Sequence, residues 1–145
     1  MFETGIPERF SFRRFIVAAP VLILIVVVML VILDLIIGAI LQPDPTFLPL
    51  NPAAVAITIV LNLVPAAIVY ALIGRFTKRP WTNWYVVSII CFLLTLIPDF
   101  MLFLPNDAPM FPVVTTPYIL ALILFHIVGA GIFIPLLPRW SAPTG

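Results

Sequence analysis

Charged residues leave long gaps in this chain. No Asp, Glu, Lys or Arg lies between Arg14 and Asp34, and the apolar run continues past Asp34 to Leu41. The stretches from Pro45 to Gly74, from Pro80 to Pro98 and from Ala108 to Pro138 are likewise free of these residues. Crossing about 30 Å of hydrocarbon takes roughly 20 mainly apolar residues as a helix. Each gap meets that length, so the pattern predicts four spanning helices, at about 15–41, 52–74, 82–104 and 115–137. The second begins near Asn51, after the turn-like PTFLPLNP, and the fourth near Thr115.

Within these spans the polar residues recur at helical spacing. On the third helix Ser88, Cys91, Thr95 and Asp99 are three, four and four residues apart, which puts them on one face. Thr58 and Asn62 form a similar stripe on the second, continued by Ala66. His126 on the fourth is followed by Gly129 and Ala130, and Asp34 on the first by Gly38. Small residues let helices approach and a polar group in lipid lacks partners, so these faces are expected to turn inward. The expected architecture is an antiparallel four-helix bundle with a weakly polar seam of Asp34, Thr58, Asn62, Ser88, Thr95, Asp99 and His126. At 1.5 Å per residue, Asn62 and His126 fall near the midplane, with Asp34 and Asp99 roughly 9 Å toward one surface.

Composition agrees with a membrane solvent. Of 145 residues 63% are hydrophobic and 9% charged, and the mean hydropathy is +1.27. The seven basic and six acidic residues nearly cancel, which leaves no basic surface for nucleic acid. All seven Lys and Arg fall on one side: Arg9, Arg13 and Arg14 before the first helix, Arg75, Lys78 and Arg79 between the second and third, and Arg139 after the fourth. The positive-inside rule then places both termini and the GRFTKRPWTNW loop in the cytoplasm, and QPDPTFLPLNP and PNDAPMFPVVTTP outside. Trp81, Trp84, Tyr85 and Trp140 are expected at the cytoplasmic interface as amphipathic anchors. The cluster of Arg75, Lys78 and Arg79 sets topology and is placed to touch anionic headgroups.

The first apolar run is too long for a signal-peptide core and no small-x-small site precedes LQPDP, so it is expected to remain a helix. No repeat or soluble module is evident, and residues 1–145 are taken as one integral membrane domain. Most of the sixteen prolines sit in the outward loops and at helix ends; Pro20, Pro65 and Pro98 fall inside spans, where each frees a carbonyl one turn earlier. Cys91 is the single cysteine, expected to be a small core residue, and it excludes an intrachain disulfide and any multi-cysteine metal site. No G-x-S-x-G, H-E-x-x-H or phosphate-cradling glycine loop occurs. The expectation is therefore no catalytic residue, no metal and no cofactor.

The succession of GRFTKRP closing the second helix, LLTLIPDF in the third and TTPYILALILFHIVGAGIFIPLLPR in the fourth resembles small bacterial four-helix membrane proteins grouped as domain of unknown function 6069. The resemblance covers about residues 52–139 and rests on Arg75, Phe76, Thr77, Arg79, Pro80, Thr95, Pro98, His126, Ile134, Pro135 and Leu137. Asp99 departs from that pattern, which expects an apolar residue after the proline. The resemblance implies four spanning helices and no activity.

Two functions stand ahead of a third, a membrane enzyme acting on lipid. The first is a non-enzymatic protein of the plasma membrane, with the bilayer as its solvent, acting as an accessory subunit of a larger complex or as a homo-oligomer. The second is a small proton- or cation-linked transporter or channel that uses the polar seam. In it Asp34, Asp99 and His126 form the site; in the first they only bond neighbouring helices.

Overall fold

The computed structural model describes residues 9–104 and 114–143. Glu3, Glu8, Asp107 and most of the predicted PNDAPMFPVVTTP loop lie outside the described residues. The described residues form four α-helices, α1 (Phe12–Leu41), α2 (Pro52–Phe76), α3 (Pro80–Met101) and α4 (Thr116–Ser141), with a 3-10 turn at Leu48–Leu50. No strand occurs among the described residues. All four helices are long and apolar enough to cross a membrane.

Local chemistry explains the ends. Asn51 caps α2 through its side-chain oxygen, which accepts from the N–H groups of Ala53 and Ala54, while Pro52 occupies a first-turn position where no N–H is missed. α1 stops at Gln42, whose left-handed backbone (φ 46°, ψ 58°) sends its N–H to the Gly38 carbonyl at 2.9 Å. α3 ends at Met101 rather than Leu104. Beyond Pro98 the bonds tighten to three-residue spacing, with the N–H groups of Leu102, Phe103 and Leu104 reaching the carbonyls of Asp99, Phe100 and Met101. α4 runs past its predicted end at 137, through Pro135 and Pro138, to Ser141.

α1 packs against α2 and α4, and α3 against the same two helices. The inner stripe of α1 is Leu22, Val26, Leu30 and Asp34, all buried at four-residue spacing. Gly129 of α4 meets this stripe, since a Cβ there would lie 3.2 Å from Leu30 Cδ1 and 3.8 Å from Val26 Cγ1. The small-residue reading of Gly129 therefore has a physical basis, whereas the Cβ position of Gly38 faces open space. The start of α1 is pinned to the end of α4: the Ser11 N–H donates to the Ser141 carbonyl at 3.0 Å, and the Arg14 guanidinium donates to the Ala142 carbonyl.

An aromatic knot joins the other helices near that same end. Trp84 of α3 lies edge-on to Tyr70 of α2 at 5.0 Å and to Phe133 of α4 at 6.3 Å. Trp84 was expected at the interface but is only 2% exposed. The cause is in α4. Pro138 has no N–H to give the carbonyl of Ile134, and the indole Nε1–H of Trp84 supplies the missing donor at 2.8 Å. Trp81 and Tyr85 are half-buried and Trp140 is exposed.

The segment between α1 and α2 folds onto α4. The Phe47 ring lies 5.1 Å from that of Tyr118, and the Asp44 N–H reaches the Tyr118 hydroxyl at 3.3 Å. The Asp44 carboxylate accepts from both the hydroxyl and the backbone N–H of Thr46. Those bonds, the hydroxyl's first, hold its pKa below the usual aspartate value.

Candidate functional site

The ionisable groups within the spans come to rest in two places. Asp99, in the last turn of α3, is brought against His126, midway along α4. His126 Nδ1 stands 2.9 Å from Asp99 Oδ2 and 3.0 Å from the carbonyl of Leu122, one turn earlier on its own helix. The ring N–H is not aligned on the carboxylate oxygen, so the pair is a close polar contact rather than a linear hydrogen bond. The Asp99 side chain is 9% exposed and that of His126 34%. The imidazole thus bridges its own backbone and a neighbouring helix while keeping an accessible edge.

Asp34 is the second place. It is 1% exposed, and neither carboxylate oxygen has a hydrogen-bond partner among the described residues. Its height follows from the Leu30–Gly129 contact. Asp34 lies four residues beyond Leu30 and His126 three before Gly129, about 6 Å and 4.5 Å along helices of opposite direction. The two therefore share a level. No three His, Cys, Asp or Glu among the described residues stand close enough to hold a metal ion. Of the expected triad, Asp99 and His126 are in contact, and Asp34 lies at their level with no hydrogen-bond partner among the described residues.

The rest of the predicted seam divides. Ser88 is buried, with no hydrogen-bond partner for its hydroxyl among the described residues. Thr58, Asn62, Cys91 and Thr95 are exposed instead of facing inward. Two causes act together. Asn62 and Thr95 satisfy themselves within their own helices, Asn62 donating to the Thr58 carbonyl at 2.8 Å and Thr95 to that of Phe92 at 2.7 Å, which lowers the cost of facing lipid. The inner faces are meanwhile taken by other residues: Val55, Ala67 and Tyr70 on α2, and Trp84, Ser88, Leu96 and Asp99 on α3. Cys91 is therefore not a core residue; it sits one position off the buried stripe.

Arg75, Lys78 and Arg79 are exposed around the α2–α3 turn, with the Arg75 guanidinium 5.9 Å from the Phe76 ring centroid. Trp84 is the structural centre missed at the sequence level. Its signal was the proline pair at 135 and 138, since an internal proline calls for an outside donor one turn back.

Four spanning helices with their ionisable groups between them define a small multi-pass membrane protein. The chain belongs to the family of unknown function DUF6069, which it matches over residues 7–143. The match takes in α1, which the resemblance above did not reach. No curated protein and no solved structure matches the chain.

Proposed function

We propose that this chain is a non-enzymatic subunit of a bacterial plasma membrane, an antiparallel four-helix bundle with both termini in the cytoplasm that works by associating with copies of itself or with a larger complex. One observation carries this: Asn62, near the middle of α2, is exposed. Its amide gives one N–H to Thr58, and the remaining donor and acceptor face a solvent that offers none. α2 is also the least buried of the four spans. A polar amide at that depth is best satisfied by another helix, a contact that contributes about 0.6–2 kcal/mol in lipid. Seven cations at one end of the helices and none at the other support the orientation.

Native mass spectrometry after gentle extraction is the test. Dimers or stoichiometric complexes are expected from the unaltered protein, and Asn62→Leu should shift them several-fold toward the single chain. An unchanged distribution removes the proposal. Proton- or cation-linked transport is a second reading, and the Asp99–His126 contact at the level of the buried, unpartnered Asp34 is what favours it.

A further inference from the structure

The geometry points to a binding site for an anionic phospholipid at the other face of the molecule, where α1 begins and α4 ends. An open cleft of about 820 Å³ lies there, lined by Arg13, Arg14, Val17, Val21, Arg139 and Trp140 among others. Arg13, Val17 and Val21 follow at four-residue spacing and form one ridge of α1, about 12 Å long. The ridge is cationic at its end and apolar below. Val17 and Val21 are 66% and 44% exposed, so they offer a track for an acyl chain.

No carboxylate among the described residues compensates the charge at the head of the cleft. The described carboxylates, Asp34, Asp44 and Asp99, all belong to the far half of the molecule. Arg14 sits about 30 Å from the level of Asp34 along α1. The Arg14 guanidinium is anchored on the Ala142 carbonyl, which holds one cation in place, while Arg13 and Arg139 have no acidic partner among the described residues. Three guanidinium groups converging on one cleft suit a phosphodiester, because their planar donors pair with its oxygens two at a time. Trp140, 39% exposed at the same level, presents a ring of the kind favoured at the headgroup layer. A cationic head above an apolar track matches an amphiphile better than a soluble phosphate, and the lipid is the occupant assigned here. The assignment does not depend on how chains associate through α2.

The test uses the full-length protein in detergent, titrated separately with phosphatidylglycerol, phosphatidylcholine and chain-free glycerol phosphate and read by native mass spectrometry. Phosphatidylglycerol should be retained preferentially, and retention should fall as ionic strength rises. Arg13→Gln with Arg139→Gln should weaken it roughly 30-fold through the two charges lost, whereas Arg13→Lys with Arg139→Lys, which keeps the charges and loses the paired planar donors, should weaken it less. Equal retention of the two lipids, indifference to salt, or an unchanged affinity in the double glutamine variant overturns the assignment. So does tight binding of glycerol phosphate alone, which would make the ligand a soluble phosphate. The salt series on the unaltered protein decides the matter even where the glutamine variant fails to fold.

Discussion

Asp34 is the residue whose position most needs a reason. A carboxyl group that is fully buried without a hydrogen bond is expensive, an unsatisfied buried polar group costing about 1–3 kcal/mol or more. Asp34→Leu is accordingly expected to raise thermal stability in detergent, measured by the temperature of half-unfolding. A fall would mean that the carboxylate has a partner outside the described residues. His126→Phe addresses the pair directly. Under the transport reading it should abolish pH-dependent flux in proteoliposomes while leaving the helical signal in circular dichroism intact, and unchanged flux would end that reading. The ionisable residues were easy to find in the sequence, because a charge in an apolar run stands out. Their pairing was not, since it depends on which helices are neighbours. Rise per residue placed Asp34, Asp99 and His126 at related depths but said nothing about the angle around the bundle.

For whole helices, gaps between charges located all four elements, while their faces were read less well. Spacing put Thr58, Asn62, Cys91 and Thr95 inside on the premise that polar residues avoid lipid. Asn62 and Thr95 answer that premise with bonds to their own backbone. The inner face of α3 keeps Ser88 and Asp99 but takes Trp84 and Leu96 in place of Cys91 and Thr95, and Trp84 in turn serves the carbonyl that Pro138 leaves without a donor. A double-mutant cycle makes that dependence measurable. Trp84→Phe removes the donor to the Ile134 carbonyl and is expected to cost about 1–3 kcal/mol. In a Pro138→Ala background the Ala N–H can serve the carbonyl, so the same change should cost distinctly less. Equal costs in both backgrounds would show that Trp84 acts by packing alone.

Over the whole molecule, the match along residues 7–143 binds α1 to the same family as the other three helices, although hydropathy was all that α1 offered to inspection. The contact between α1 and α4 has a consequence in time. A ribosome delivers α1 first and α4 last, and the stripe that buries Asp34 needs Gly129 and its neighbours to close it. Until α4 arrives, a nascent chain holds a carboxylate in the bilayer without its cover and leaves the Arg14 side of the ring open. The α1 stripe is therefore closed only when the last helix is in place, and a chain interrupted before residue 116 would lack the helix that packs against Leu30 and Val26.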